Sequence, residues 1–76
     1  MVMKLTLEQF EEFEKDFLFK KLSDPAYRFG QHFLNYFTGI AKDISSRGPE
    51  GIADTMVIWH MDSLDELKQR AGEYLP

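Results

Sequence analysis

Residues 24–37, DPAYRFGQHFLNYF, combine a helix start, an apolar face and a polar face. Asp24 can accept a hydrogen bond from a free backbone N–H of a first turn, and Pro25 fits the first helical position because its missing N–H would be unpaired there anyway. We therefore expect a central helix that starts at this pair. It runs to at least Thr38, and the spacing of the later isoleucines favours its continuation to Ser45.

The central helix has two faces. Five apolar residues fall on the core face at helical spacing: Phe29, Phe33, Phe37, Ile40 and Ile44. The opposite face carries Arg28, Gln31 and Asn35, with His32 close to them. A glycine inside a helix costs ~1 kcal/mol relative to alanine, so Gly30 predicts that another backbone, that of the preceding helix, approaches closely.

Composition limits the class of protein. A chain of 76 residues has room for one domain, residues 1–76. It has no cysteine, which excludes a disulfide scaffold, and no signal-peptide pattern or long apolar run, so we expect a cytoplasmic protein without membrane contact. The formal net charge of −4 disfavours strong sequence-independent binding of nucleic acid.

A first helix is expected from Leu7 to about Leu22, opened by a capping box between Thr6 and Gln9. Its core face is expected to hold five residues: Leu7, Phe10, Phe13, Phe17 and Leu18. Phe19 falls outside that face, where it either covers the turn before Pro25 or anchors a partner.

The ends of the chain are expected to be short elements. Val2, Met3 and Leu5 belong to a lead-in that covers the core. Residues 45–51 are dense in helix-breaking residues and predict a loop. Residues 55–61 include an apolar run of residues that favour extended backbone, so they predict an extended segment across the helices. A last helix follows Ser63, which forms a second capping box with Glu66.

These elements predict an all-α fold. It consists of an antiparallel helical hairpin and a short C-terminal helix, a small three-helix domain, with the extended crossing segment at residues 55–61.

The central motif resembles one found in small uncharacterised bacterial and phage helical proteins. Its form here is D-P-x-Y-R-x-G-Q-x-F-x-N over residues 24–35, after an acidic amphipathic helix. The likeness covers most of the chain and departs from the pattern at residues 55–61. The resemblance implies a small helical protein of the bacterial or phage kind, and it implies no activity.

Catalysis and metal binding have little support in the sequence. His60, Asp62 and Ser63 are residue types of hydrolases, but neighbours in sequence do not converge as a triad must. His32 and His60 lack the spacing of a metal-binding helix. We therefore expect no enzyme, no metal and no cofactor.

The polar face of the central helix has two interpretations. In one, Arg28 pairs with an acid such as Asp24, while Gln31 and Asn35 bind carbonyls of the crossing segment. In the other, the face is exposed and binds a partner, for which the forked guanidinium of Arg28 is suited.

The sequence therefore favours a non-catalytic protein-interaction module, such as a small phage or accessory factor that modulates a host protein. The candidate partner-binding residues are Arg28, Gln31, Asn35, His32 and Phe19. One alternative is a nucleic-acid-associated protein that uses the side carrying Arg28, Lys42 and Arg47. Another is a structural homodimer in which residues 56–59 pair with their symmetry mate.

Overall fold

In the computed structural model, which describes residues 4–76, the chain is all-α, as predicted. The described residues form five α-helices and a 3-10 helix: α1 (Leu7–Ser23), α2 (Phe29–Tyr36), α3 (Thr38–Ser45), α4 (Pro49–Trp59), α5 (Leu64–Ala71) and the 3-10 turn Gly72–Tyr74. No strand occurs between residues 4 and 76. The expected position of Val2 and Met3 lies outside the described residues.

Helix α1 begins with the predicted capping box. The Thr6 hydroxyl accepts from the Gln9 backbone N–H, and the Gln9 side chain accepts from the Thr6 N–H. The core face is narrower than predicted, because Leu7 and Leu18 are exposed. Three phenylalanines of α1 face the core: Phe10, Phe13 and the half-buried Phe17.

Asp24 begins a turn. The prediction that it caps the central helix is wrong. Its carboxylate accepts from the Ala26 N–H, and its carbonyl accepts from the Tyr27 N–H. The donors thus lie two and three residues after Asp24. A carboxylate used in this way favours a turn over a helix start. Helix α2 therefore starts at Phe29, with Arg28 as its N-cap residue.

The predicted central helix is divided at Phe37 into α2 and α3. The backbone of Phe37 has φ −103° and ψ 70°, which is not helical, although its N–H still donates to the Phe33 carbonyl. No glycine or proline stands at the break. The bend accompanies the packing of the Phe37 ring against Phe13, with 5.2 Å between ring centroids.

The extended segment predicted at residues 55–61 is wrong, since Pro49–Trp59 is helix α4. Gly48, with φ +93°, turns the chain, and Pro49 at the first position opens the helix. A helix pairs its own backbone groups, whereas a lone strand would leave them without partners in the core. Burial of Ile58 thus outweighs the β propensity of residues 57–59. Because residues 56–59 are helical, the structure does not contain the strand that was predicted to pair with its symmetry mate in a homodimer.

Two glycines bring α4 into backbone contact with its neighbours. A Cβ atom on Gly30 of α2 would lie 1.6 Å from the Ile58 carbonyl oxygen, and one on Gly51 of α4 would lie 1.9 Å from the Ile44 carbonyl oxygen of α3. The Gly30 N–H also donates to the Met61 carbonyl at 2.8 Å. The sequence predicts a close approach at Gly30, but the approaching helix is α4 and not α1.

The core is centred on Phe13, which is fully buried. Its ring lies within 6 Å, centroid to centroid, of six other rings: Phe10, Phe29, His32, Phe33, Tyr36 and Phe37. Most of these pairs are tilted or edge-on, which are favourable geometries for aromatic rings. The aromatic residues of α1 and α2 therefore form the main contact between these helices.

The C-terminal elements close the fold over this core. Ser63 caps α5 by accepting from the Glu66 N–H, as predicted. The other half of the predicted capping box is absent, because the Glu66 carboxylate accepts from the Asp62 N–H and not from that of Ser63. Tyr74 is fully buried, and its carbonyl accepts from the Leu5 N–H at 2.9 Å. This hydrogen bond joins the first described residues to the last.

The contact at Gly30 predicts a large effect of a single methyl group. Gly30→Ala should lower the free energy of unfolding by about 3 kcal/mol, because the new Cβ meets a backbone carbonyl that side-chain rotation cannot move away. Urea denaturation followed by circular dichroism measures the change.

Gly72→Ala is the matched control. Nothing lies within 4 Å of a Cβ at Gly72, and its φ of −56° suits alanine. We expect an unchanged or slightly higher stability, by about 0.5 kcal/mol. Equal losses in both variants would contradict the close approach.

Candidate functional site

Arg28 holds the connection between α4 and α5. Its guanidinium donates to the His60 carbonyl at 3.0 Å and lies 3.4 Å from the Asp62 carboxylate. One interpretation of the sequence pairs Arg28 with an acid such as Asp24, and the acid in the structure is Asp62. Because the side chain is still 44% exposed, the ion pair is a surface clamp, of a kind that adds modestly to stability.

Gln31 and Asn35 lie beside this clamp. Gln31 is half-buried and Asn35 is exposed. The expected segment of carbonyls to which they would bind is helical, and the His60 and Met61 carbonyls accept instead from Arg28 and from the Gly30 N–H. Arg28 is thus engaged in the fold, whereas Asn35 faces solvent.

His32 lies in the core and not on the exposed polar face. Its ring stacks on Phe13, with 4.9 Å between centroids and 13° between planes, and its exposed fraction is 0%. Nδ1 is 2.9 Å from the Tyr27 hydroxyl. Nε2 lies 3.2 Å from the Asp16 carboxylate but is not aligned for a hydrogen bond. The structure thus brings together His32, Tyr27 and Asp16, which we call the His32 cluster.

Burial lowers the pKa of His32 below its ordinary value of 6.5, since a charged imidazolium loses hydration in the core. The Asp16 carboxylate raises the pKa and the Lys20 ammonium lowers it, but burial has the largest effect. At neutral pH the imidazole is therefore uncharged, as its packing among aromatic rings requires.

A second polar cluster ties α3 to the C-terminal turn. The Tyr74 hydroxyl donates to Asp43 at 2.5 Å, and Arg47 donates to both the Tyr74 hydroxyl and Glu73. Burial, together with the bond to Asp43, raises the pKa of Tyr74 to about 12. Because the four groups satisfy one another, the cluster has a structural role in this fold.

The most exposed apolar surface is on α1. Leu18, Phe19 and Leu22 are 64%, 75% and 83% exposed, and helical spacing brings them onto the side of α1 that points away from the core. We call these three residues the α1 ridge. Phe19 is also next to the turn before Pro25, since it lines one groove together with Ser23 and Asp24. Both interpretations of Phe19, a cover of that turn and an anchor for a partner, remain predictions.

Phe19 stands between two surface grooves. One has a volume of about 580 Å³ and is lined by six residues: Asp16, Phe19, Lys20, Ser23, Asp24 and Tyr27. The other has a volume of about 250 Å³ and is lined by the ridge and Lys15. A partner could bind the protruding Phe19 ring as an anchor and place its own side chains in the two grooves.

A second apolar surface lies on α4. Four of its side chains are between 38% and 65% exposed: Ile52, Met56, Val57 and Trp59. We call these residues the α4 face. Leu34 of α2 adjoins it, in a groove of about 260 Å³ that Thr55, Met56, Trp59 and His60 also line.

Two of the residues that the sequence offers for catalysis, His60 and Ser63, have contacts within the fold. No three histidine or acidic side chains between residues 4 and 76 lie close enough to hold a metal ion. Ser63 is used as the cap of α5, and the carbonyl of His60 binds Arg28.

The α1 ridge and the His32 cluster had signals in the sequence. Leu18, Phe19 and Leu22 lie outside the stripe formed by the core phenylalanines of α1. A core face limited to that stripe would have predicted all three residues to be exposed. His32 is spaced three residues after Phe29 and four before Tyr36, which is the spacing of neighbours on one helix side. The α4 face had no such signal because its helix was predicted as extended.

Comparison with known proteins shows no relationship. No family model matches the chain, and neither a curated protein nor a solved structure is significantly similar to it. None of the described helices is both long and apolar enough to cross a bilayer.

The His32 cluster predicts a loss of stability in mild acid. As pH falls below about 6.5, the unfolded chain binds the imidazole proton before the folded chain does, because the folded pKa is lower. The stability that depends on neutral His32 is therefore complete above that pH and is lost as pH falls through the folded pKa. Thermal melts between neutral pH and pH 5 should show a falling melting temperature.

His32→Phe should reduce this pH dependence, since phenylalanine retains the stacking on Phe13 and cannot titrate. At neutral pH the variant should be about 1 kcal/mol less stable, because Tyr27 loses its hydrogen-bond partner. His60→Gln, at an exposed position, should leave the profile unchanged. An identical pH profile in wild type and His32→Phe would rule out His32 as the group responsible.

Proposed function

We propose that this protein is a non-catalytic binding module whose α1 ridge contacts another protein. The observation that carries the proposal is the exposure of Leu18, Phe19 and Leu22, three large apolar side chains side by side on one helix. Contiguous exposed apolar surface is unfavourable in water and marks sites of association. Leucine and phenylalanine at a spacing of three and four residues are also the usual anchors when helices recognise partners.

The charges on α1 indicate the chemistry of the partner. Glu8, Glu11 and Glu12 are exposed, and helical spacing places them on the same side of α1 as the ridge, about two turns before it. The surface thus has an acidic half and an apolar half, with the exposed Lys15 between them. A complementary partner presents apolar side chains next to lysine or arginine, as a basic amphipathic helix does.

The Arg28 clamp fits a supporting role better than a contact role. Its hydrogen bond to the His60 carbonyl and its ion pair with Asp62 fix the end of α4. Binding a partner's carboxylate through the same guanidinium would compete with these contacts. Gln31 and Asn35 extend the surface next to Leu34 and are secondary candidates.

The nucleic-acid alternative has less support. Arg28 and Arg47, two of its three proposed cations, already have acidic partners in Asp62 and Glu73. Counterion release from a nucleic acid requires cations that are free to neutralise phosphates. Together with the net charge of −4, these pairings favour a protein partner.

Affinity capture from bacterial lysates tests the proposal. The wild type should enrich a specific protein, and Phe19→Ser/Leu22→Ser should lose it at an unchanged melting temperature, because both residues are exposed. We expect a loss of at least about tenfold in affinity, equivalent to 1.4 kcal/mol, when the captured protein is purified and titrated.

Leu7→Ser provides the control, since Leu7 is also 64% exposed on α1 but lies far from the ridge. It should retain the partner. Moderate salt should weaken binding if the acidic half of the surface takes part. Retention of the same partner by the ridge variant, or recovery of background alone from several lysates, would overturn the proposal.

A further inference from the structure

The larger of the two grooves beside Phe19 borders the polar atoms around His32. We call it the Tyr27 groove. Its volume is about 580 Å³, and its lining includes both polar neighbours of the buried imidazole, Asp16 and Tyr27. A volume of this size has room for a small molecule or for one long side chain. The groove therefore connects an exposed surface with a polar group in the core.

The position of the His32 proton follows from its neighbours. Nε2 is buried without a hydrogen-bond partner in the described residues, and it lies 3.2 Å from the Asp16 carboxylate, which can only accept. The proton of the neutral imidazole is therefore on Nε2, and Nδ1 is the acceptor. The Tyr27 hydroxyl, 2.9 Å from Nδ1, donates its only proton to the ring. The Tyr27 oxygen is then left with acceptor capacity alone.

The Tyr27 groove is consequently rich in hydrogen-bond acceptors. The Tyr27 oxygen and the Asp16 carboxylate have no proton to offer a ligand. The Asp24 carboxylate accepts from the Ala26 N–H with one oxygen and retains further acceptor capacity. Charged acceptors bind most strongly to donors that carry positive charge. The rings of Phe19 and Tyr27 add aromatic surface, on which a planar guanidinium stacks well.

Two lysines near the groove leave room for such a ligand. Lys20 lies 3.5 Å from the Asp16 carboxylate, one turn along α1, and its side chain is 54% exposed. An exposed pair of this kind contributes little to stability, so a donor that binds both carboxylate oxygens can displace Lys20. Lys21 is engaged elsewhere, since its ammonium donates to the Tyr27 carbonyl and lies over the Phe17 ring.

We infer that the Tyr27 groove binds the guanidinium of an arginine side chain, with Asp16 as the main acceptor and with Phe19 and Tyr27 beside the guanidinium plane. A lysine ammonium fits less well, because it lacks the planar fork that binds both oxygens of a carboxylate. The α1 ridge and the groove share Phe19. The arginine therefore belongs to the partner of the ridge, and for this source of the arginine the inference rests on the proposed function.

Titration of the ¹⁵N-labelled protein with N-acetyl-arginine amide tests the groove without a partner protein. The backbone amide signals of Phe19, Ser23 and Tyr27 should shift with a dissociation constant in the millimolar range, as expected for one small contact. N-acetyl-citrulline amide has nearly the same shape and no charge, and at equal ionic strength it should bind at least about fivefold more weakly. An absence of these shifts at about 50 mM probe, or equal binding of both probes, would overturn the inference.

Two variants of the groove should change the affinity for N-acetyl-arginine amide in opposite directions. Asp16→Asn should weaken binding at least about fivefold, because the main charged acceptor is lost. Lys20→Gln should strengthen it by about twofold, because the competing cation is removed. Glu50→Gln alters the net charge as Asp16→Asn does, at an exposed position on α4, and should leave the affinity unchanged. Melting curves verify that each variant is folded. Unchanged binding in Asp16→Asn, or weaker binding in Lys20→Gln, would contradict the assignment.

The same variants separate this inference from the function proposed for the α1 ridge. If both are right, Asp16→Asn should bind the captured partner at least about fivefold more weakly than the wild type does. If the ridge binds a partner but the groove takes no arginine, Phe19→Ser/Leu22→Ser should lose the partner while Asp16→Asn retains full affinity. That second result would overturn the inference and leave the ridge proposal intact.

Discussion

The backbone of α4 lies against α2 and α3 at a distance that only glycine permits, and the arrangement of the helices depends on this approach. At Gly30 and Gly51 a carbonyl oxygen of the neighbouring helix occupies the space of a Cβ atom. The contact brings Ile58 fully into the core and allows the Gly30 N–H to bind the Met61 carbonyl. The same contact determines which side of α4 faces outward, and therefore where the α4 face lies.

Local signals predicted the ends of helices well where a side chain caps them. Thr6 and Ser63 both accept the hydrogen bonds that their spacing to Gln9 and Glu66 predicts. These contacts lie within one turn, so they depend little on the rest of the fold. Asp24 shows the limit of this reasoning, since the same carboxylate can cap a helix or a turn. In this structure it caps a turn, with the Ala26 N–H as donor.

Longer-range packing could not be predicted in the same way. Residues 57–59 favour extended structure, yet they form helix because Ile58 is buried against Gly30 and because helical backbone needs no neighbouring strand. The candidate site depends on the same kind of information. Phe19 was identified as lying outside the core face, but His32 was placed among the exposed residues although aromatic rings surround it. Burial is a property of the packed helices and not of the spacing alone.

The hydrogen bond between Leu5 and Tyr74 joins residues 69 positions apart and bears on the order of folding. Contacts among α2, α3 and α4 span short stretches of chain and require little loop closure, whereas the Leu5 contact must close almost the whole chain. We therefore expect the three middle helices to associate first. The segment before α1 would then dock onto the C-terminal turn as a late step and complete the native state.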